Sequence, residues 1–324
     1  MTPLLAPTTR HTMRGANGRS LGSRARRAVV ALALLLPATA AAQYETKPYA
    51  KAPPLPDLTG KVALITGSTD GLGRDVARRM AAAGARVLIT GRSAPRGDSL
   101  VEEITRSGKG SATFYRADLA SLDEVRRLAD DVLRDTKRLD YLINNAGVGF
   151  VFDTTRKFSA EGYEMHFAVN YLAHYVLTKR LVPLLVASAP SRIINVASGS
   201  QVAIDFDDVM MAKGYNGGRG YAQSKLAQVM MTIDMAPALE TQGVLTYSLH
   251  PATTMATTMA RALNVTPRST IAEGVESVVN AISTTQPAGT YFNQLVPIRA
   301  HPQAYDATAR ERLRTISEQL TGGR

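Results

Sequence analysis

Residues 62–73 read VALITGSTDGLG, a short apolar run that passes directly into a glycine-rich turn. The run Val62–Thr66 has the composition of a strand buried on both faces, and a helical pattern follows from Gly71 to Ala83. Glycines let a backbone turn tightly and approach a phosphate closely, while a helix N-terminus offers unpaired N–H groups. This strand, turn and helix predict a site for the phosphates of a nucleotide.

The turn has the spacing G-x-x-x-G-x-G, which differs from the G-x-G-x-x-G of longer dehydrogenases. No Gly-Lys-Ser/Thr follows, so it is not a P-loop. A glycine-rich turn by itself is equally a tight connection between a strand and a helix, but its place after the first strand favours a dinucleotide. The expected cofactor contacts here are Gly67, Ser68, Thr69, Gly71, Leu72 and Gly73.

Apolar runs alternate with helical patterns along the rest of the chain. The predicted strands are 62–66, 86–90, 112–115, 141–144, 192–196, 244–249 and a short last one at 290–292. The predicted helical segments are 71–83, 121–136, 162–187 and 222–239, with Ser121 as an N-cap and Glu124 as its capping-box partner. This alternation is typical of an α/β fold, a Rossmann-type doubly wound parallel sheet in three α/β/α layers. We expect one such domain over residues 59–324.

The position after the second strand indicates which dinucleotide is bound. An acidic residue that binds the ribose is expected about 20 residues after the turn. Here the strand ends in Thr90-Gly91-Arg92-Ser93, and no acid precedes Asp98. Gly91 leaves the position open, and the Arg92 guanidinium can fork onto a 2′-phosphate. The sequence therefore predicts NADP(H) in preference to NAD(H), unless Arg92 is an ordinary solvated loop residue.

Further motifs follow the later strands in a fixed order. They are Asp118-Leu119, Asn144-Asn145-Ala146-Gly147, Asn170, Ser198, Tyr221-Ala222-Gln223-Ser224-Lys225 and His250-Pro251. Together with the glycine-rich turn, they resemble the short-chain dehydrogenase/reductase family over about residues 58–295. The segments VNYLAHYVLT, RIINVAS and YAQSKLAQ are most similar to the retinol dehydrogenase and protochlorophyllide reductase branch.

The resemblance implies further cofactor contacts. Asp118 and Leu119 would line the adenine, and the Asn-Asn-Ala-Gly motif would lie beside the adenosine ribose while an Asn braces neighbouring strands. The implied contacts are Asp118, Leu119, Asn145, Ala146, Gly147, Tyr221, Lys225, Pro251 and Thr253. Family members often have Gly after the Pro of the last motif, where this chain has Ala252. Since Ala adopts positive φ less easily than Gly, that loop is a departure from the pattern.

Tyr221 is the candidate acid/base for hydride transfer between a nicotinamide and a carbonyl carbon. Lys225 lies four residues on, so the two share a helix face, and a nearby cation lowers the pKa of a phenol. Ser198 ends its strand at the carboxyl edge of the sheet, where its hydroxyl can donate to the substrate oxygen. The resemblance implies that Lys225 also holds the nicotinamide ribose and that Asn170 connects Lys225 to a proton-carrying water.

These residues predict an NADP-dependent oxidoreductase acting on a small alcohol or carbonyl compound, a lipophilic one by similarity to the branch. A dinucleotide-binding regulator without turnover is the first alternative, although such proteins typically lose the Tyr or the Lys. An epimerase or dehydratase on the same fold is the second. Family members often form homo-oligomers, and no residue of this chain fixes that state.

Composition excludes several other classes. Hydrophobic residues make up 45% of the 324 and charged residues 20%, so the chain can bury a core. It has no Cys and five scattered His, which argues against disulfides, thiolate sites and a metal cluster. Of the net charge of +11, residues 1–42 contribute six Arg and no acid, which leaves +5 without long basic runs. Nucleic-acid binding is therefore not expected.

The N-terminus reads as a targeting segment. Three Arg within residues 24–27 precede the apolar run Ala28–Leu36, and small residues follow to Ala42. This pattern predicts a signal peptide or leader over residues 1–42, followed by a Pro-rich linker over 43–58. We expect export to the periplasm or attachment to a membrane through this leader. A cytoplasmic protein with a misread start codon is the alternative, since NADP is a cytoplasmic metabolite.

Overall fold

Eight strands form one sheet in the part of the chain that the structure, a computed structural model, describes, residues 49–322. The strands are β1 Val62–Ile65, β2 Arg86–Gly91, β3 Ser111–Arg116, β4 Tyr141–Asn144, β5 Ser191–Val196, β6 Val244–His250, β7 Tyr291–Asn293 and β8 Val296–Ile298. Their order is β3-β2-β1-β4-β5-β6-β7-β8, parallel except for the antiparallel pair β7 and β8. The order reverses between β1 and β4, where doubly wound sheets bind ligands.

Helices cover both faces of this sheet. They are α1 Gly71–Ala82, α2 Ala94–Ser107, α3 Leu122–Asp135, α4 Ala173–Ala187, α5 Gly217–Glu240, α6 Thr258–Ala262, α7 Ile271–Ser283 and α8 Ala307–Thr321. A π-helical segment, Phe167–Leu172, leads into α4, and a 3-10 turn, Pro302–Tyr305, precedes α8. None of the helices within residues 49–322 is long and apolar enough to cross a bilayer.

Two apolar clusters fill the space between the layers, one on each face of the sheet. Residues of α1, α2 and α7 belong to one cluster, and residues of α3, α4, α5 and α8 belong to the other. In β1, Ala63 and Ile65 join the first cluster whereas Val62 and Leu64 join the second. Alternate side chains of a strand point to opposite faces, so this strand is apolar throughout because both of its faces are covered. The three-layer, doubly wound fold expected from the sequence is confirmed.

The predicted capping box of α3 forms only in half. Ser121 caps the helix and accepts the backbone N–H of Glu124. The Glu124 carboxylate does not turn back to Ser121 but accepts the backbone N–H of Asp118, 2.9 Å away. Glu124 therefore links the start of α3 to the end of β3, next to the predicted adenine site.

Several boundaries differ from those predicted. The segment 290–292 is not the last strand, since β8 follows it and pairs with β7. The Pro-rich segment is not a free-standing linker over its whole length, because Ala52 and Leu58 are buried and the Ala52 N–H donates to Glu276. The predicted leader, 1–42, and residues 43–48 of the linker lie outside the described residues.

Candidate active site

The glycine-rich turn packs too closely against the end of β4 for side chains at two of its glycines. A Cβ on Gly73 would lie 2.4 Å from Asn145 Nδ2 and 2.5 Å from the Gly67 carbonyl oxygen. A Cβ on Gly67, which has φ of 64°, would lie 2.9 Å from Ala146 Cα. The Asn145 amide donates to the carbonyl oxygens of Thr66 and Gly67. The predicted residues Gly67, Gly73, Asn145 and Ala146 thus lie together.

Three other predicted residues of the turn direct their side chains into the protein. The Ser68 hydroxyl donates to the Ile65 carbonyl and accepts the N–H of Thr90, which ties β1 to β2. Thr69 and Leu72 are buried. Cofactor contacts at Ser68, Thr69 and Leu72 would therefore be made by the backbone, as at other anion sites at a helix N-terminus.

Asp70 connects this turn to the loop that follows β6. Its carboxylate caps α1 by accepting the N–H of Gly71, and it accepts the hydroxyl of Thr258 at 2.6 Å. An Arg96 guanidinium nitrogen lies 3.3 Å from the same carboxylate. The first residue of α6 is thereby held at the entrance to the glycine-rich turn, a role that the spacing of the motifs does not reveal.

Arg92 and Asp118 lie at adjacent strand ends beyond β2 and β3. The Arg92 side chain is 73% exposed, and its Nη1 lies 4.0 Å from Asp118 Oδ2. The sequence suggested that Gly91 leaves this position open. In the structure the space is filled, since a Cβ on Gly91 would lie 2.6 Å from the Thr69 hydroxyl. Leu119 is buried beneath this edge. The Arg92 guanidinium is therefore exposed at this edge, beside a tightly packed turn.

The Asn-Asn-Ala-Gly motif divides between two tasks. Asn144 is buried, and its amide donates to Thr178 and Asn195, which braces β4 against its neighbours. Gly147 lies next to the catalytic candidates, because a Cβ on it would be 3.3 Å from Asn170 Oδ1 and 3.5 Å from Lys225 Nζ. The chain passes within these four residues from the glycine-rich turn to the catalytic candidates.

Ser198, Tyr221 and Lys225 come together at the carboxyl edge of the sheet. Ser198 follows β5, and the other two lie one turn apart in α5. Lys225 is buried, and its Nζ donates to the carbonyl of Val196 and to Gln228 Oε1, both at 2.8 Å. Nζ lies 5.9 Å from the centroid of the Tyr221 ring. A hydroxyl, a phenol and an amine therefore share one small site.

Burial sets the protonation of this cluster. It raises the pKa of the half-buried Tyr221 phenol, and a hydrogen bond with the Ser198 side chain acts in the opposite direction. Burial also lowers the pKa of Lys225 to about 7. The expected lowering of the Tyr221 pKa by Lys225 is therefore not produced by the protein's own groups. The positive charge of an oxidised nicotinamide would act in that direction when bound.

Asn170 occupies the π-helical segment before α4. Its side chain accepts the N–H of Val148 at 2.8 Å and donates to Ser224 Oγ at 2.9 Å. Its carbonyl oxygen lies 3.0 Å from Nδ1 of the buried His174. π-helical turns are frequent at functional sites, and this one holds Asn170 next to Gly147 and beneath Lys225. Lys225 Nζ itself bonds to Val196 and Gln228, so the implied water relay remains a prediction.

The conformation of the loop after β6 accommodates Ala252, the residue that stands where family members often have Gly. Ala252 is buried and has no positive φ, whereas Thr254 takes the left-handed conformation with φ of 48°. The Pro251 carbonyl accepts the Ser277 hydroxyl, and the Thr253 hydroxyl lies 3.2 Å from His250 Nε2. Ala at 252 therefore introduces no backbone strain, and Thr253 faces the same edge as Ser198.

Two groups at this site escaped the sequence analysis. Tyr291 of β7 is buried and donates its hydroxyl to the Ser198 carbonyl oxygen at 2.9 Å, and burial raises its pKa to about 12. Glu164 and His166 form a buried pair beside Tyr221. Within residues 49–322, no three His, Asp or Glu side chains are grouped to hold a metal ion.

Comparisons with known proteins agree with this geometry. A family model described as short chain dehydrogenase matches residues 61–268. Retinol dehydrogenase 11 of Mus musculus is 41% identical over 200 residues, which cover 60% of this chain and 62% of that protein, less than two thirds of its length. Retinol dehydrogenase 12 of Homo sapiens is 33% identical over 289 residues, 82% of this chain and 87% of that protein.

A solved structure shares the fold. It is a short chain dehydrogenase from Burkholderia cenocepacia in complex with NADP, with a TM-score of 0.59 and 26% identity. The similarity covers 73% of this chain and 97% of that one.

Proposed function

This chain belongs to the short-chain dehydrogenase/reductase family, and on that premise we propose that it is an NADP-dependent oxidoreductase of alcohols and carbonyl compounds. The observation that carries the proposal is the convergence of Ser198, Tyr221 and Lys225 at the carboxyl edge of the sheet, the edge at which the glycine-rich turn also follows its strand.

The residues present fit such a cofactor. The turn after β1 excludes side chains at Gly67 and Gly73, and it opens onto the N-terminus of α1. When bound, the nicotinamide supplies or accepts the hydride. Placement and proton transfer are then the tasks of the protein.

Tyr221 is the proposed proton donor in the direction of reduction. In reduction the phenol would give its proton to the carbonyl oxygen of the substrate, and in oxidation the tyrosinate would take that proton back from the alcohol. The raised pKa of the phenol keeps that proton in place until it is needed. The Ser198 hydroxyl would donate to the same oxygen and stabilise the charge that develops on it.

Lys225 is the proposed neighbour that sets the charge of the site. Burial lowers its pKa to about 7, far below the usual value of a lysine. A protonated Lys225 favours the tyrosinate that forms when the phenol has given up its proton. Its fixed bonds to Val196 and Gln228 hold it at one position while that charge appears.

The choice of NADP rests on Arg92. No acidic residue follows β2 before Asp98, and the exposed guanidinium, which lies 4.0 Å from Asp118 Oδ2, can donate two parallel hydrogen bonds to a 2′-phosphate. The solved relative in complex with NADP supports this choice by similarity. The substrate class is proposed from the retinol dehydrogenases to which the chain is similar, as a lipophilic primary alcohol or aldehyde.

A substrate panel tests the proposal. The purified protein is incubated with NADPH or NADH and with retinal, a steroid ketone or a short aliphatic aldehyde, and the absorbance of the reduced nicotinamide is followed. We expect oxidation of NADPH with retinal, which is the long apolar aldehyde of this panel. Tight binding of NADPH without turnover of any carbonyl compound, or of any alcohol with NADP, would favour the non-catalytic regulator instead.

A further inference from the structure

Glu164 and His166 form a pair of polar side chains that is sealed from solvent. The exposed fraction is 1% for Glu164 and 0% for His166, and His166 Nδ1 lies 2.7 Å from Glu164 Oε1. The backbone N–H of Phe150 donates to His166 Nε2 at 2.9 Å. Since a protonated Nε2 could not accept that N–H, the imidazole carries its proton on Nδ1 and donates it to Glu164.

The Glu164 carboxylate is ionised although it is buried. Besides His166, it accepts the backbone N–H of Phe167 at 2.8 Å and the hydroxyl of Tyr215 at 3.1 Å. Burial raises the pKa of this carboxyl, but the hydrogen bonds from His166 and the Phe167 N–H outweigh that effect and lower it below its usual value. A buried carboxylate that accepts several hydrogen bonds holds the groups that donate them in fixed positions.

The pair lies beside Tyr221 and the start of α5. The His166 ring meets the Tyr221 ring edge-on, with centroids 6.0 Å apart and planes at 82°. Gly220, the residue before Tyr221, lies directly on the pair, because a Cβ there would be 3.2 Å from His166 Nδ1 and 3.3 Å from Glu164 Oε1. Tyr215 belongs to the segment that enters α5. The pair therefore contacts the turn that carries the phenol from three directions.

We propose that Glu164 and His166 are positioning residues, which hold the Tyr221 ring and the first turn of α5 in the orientation that proton transfer to the substrate requires. This inference rests on the proposed function, because it assigns the pair a task only if Tyr221 is the acid/base. Neither side chain touches the substrate, and neither exchanges a proton in the reaction.

Steady-state kinetics on the folded protein with NADPH tests the inference. His166→Phe keeps the ring and removes both hydrogen bonds, whereas Glu164→Gln keeps an acceptor for His166 and Tyr215→Phe removes one donor to the carboxylate. We expect kcat to fall about 10- to 100-fold in His166→Phe, the scale of a small misplacement of a reacting group. The fall should be smaller in Glu164→Gln and Tyr215→Phe. The Kd of NADPH should stay unchanged in all three.

A matched control separates positioning from stability. Asp140 is also a buried carboxylate and accepts Arg138, Lys61 and the N–H of Val62 far from Tyr221. Asp140→Asn should lower the melting temperature as His166→Phe does, while kcat per folded molecule stays at the wild-type value. The double variant Glu164→Gln/His166→Phe should lose no more than His166→Phe alone, because residues that act as a unit are not additive.

The outcomes distinguish this inference from the proposed function. An undiminished kcat in Tyr221→Phe overturns the function and the inference with it. An inactive Tyr221→Phe combined with wild-type kcat in His166→Phe overturns the inference alone. If His166→Phe does not fold, Tyr215→Phe decides on the same readout, because Tyr215 is only half-buried; its unchanged kcat would contradict the inference.

Discussion

The Lys225 amine lies 5.9 Å from the centroid of the Tyr221 ring, yet its hydrogen bonds go to the Val196 carbonyl and to Gln228. The amine therefore lies close to the Tyr221 ring, but its hydrogen bonds go to other groups. Lys225 is fixed to the end of β5, the strand that also delivers Ser198. The strand and the helix therefore share one anchoring contact, which holds the phenol and the serine hydroxyl at a constant separation.

Tyr221→Phe should abolish turnover without loss of cofactor binding. Removing a positioned acid/base costs about 10²- to 10⁴-fold in kcat, and the missing hydroxyl leaves the glycine-rich turn intact. Initial rates and NADPH fluorescence titration check this. Tyr163→Phe, which loses only a bond to the Leu320 carbonyl, is the matched control. Equal kcat values in the two variants would remove Tyr221 from the mechanism.

Lys225→Met should change how stability depends on pH. The folded pKa of Lys225 is about 7 and the unfolded one about 10.5, so the unfolded chain holds an extra proton between these values. The free energy of unfolding of the wild type therefore rises with pH through that window, by up to about 1.4 kcal/mol per pH unit from this group. The difference between wild type and variant, from urea titrations without cofactor, should increase from pH 7 to 10; a flat difference would contradict the assignment.

Arg92→Ala should weaken the preference for NADP. Loss of hydrogen bonds to a charged phosphate lowers kcat/KM with NADPH by about 10- to 100-fold, while kcat/KM with NADH changes little. Arg106→Ala, an exposed change at the end of α2, serves as the control. Parallel losses with both cofactors would show that Arg92 acts on the fold of the loop and not on the 2′-phosphate.

Gly73→Ala should disrupt the glycine-rich turn. Its methyl group would need the space of Asn145 Nδ2 and the Gly67 carbonyl, so we expect a loss of about 1–3 kcal/mol in stability and weaker NADPH binding. Gly199→Ala, where the nearest heavy atom is 3.5 Å away, should be tolerated in a thermal melt. Equal melting temperatures for both variants would argue against tight packing at Gly73.

The sequence predicts those parts of the fold that depend on local composition. β1 and β5 are apolar because both faces are buried, so their ends, and with them the turn after Ile65 and the position of Ser198, follow from the pattern. The pattern does not predict the helix α2, because only two of its side chains, Leu100 and Ile104, are buried, which leaves a weak apolar stripe.

Contacts between distant segments could not be predicted in this way. Residues two apart do not face each other on a helix, so the spacing of Glu164 and His166 does not predict their contact. The two side chains meet because Glu164 precedes the helical turns. Tyr291 reaches Ser198 only because β7 completes the sheet beside β6. The direction in which the Tyr221 pKa shifts likewise depends on burial. The four-residue spacing of Tyr221 and Lys225 gives no information about burial.

The first turn of α5 is composed almost entirely of glycine, with Gly217, Gly218 and Gly220 before Tyr221. Each glycine disfavours the helix by about 1 kcal/mol relative to alanine, so helix propensity alone would leave this turn non-helical. It is coiled because the Gly217 N–H bonds to the Asp153 carbonyl and Asn216 caps the Arg219 N–H. The turn that carries the acid/base therefore depends on contacts from outside α5, and its backbone amides should exchange with deuterium sooner once the Asn216 cap is removed.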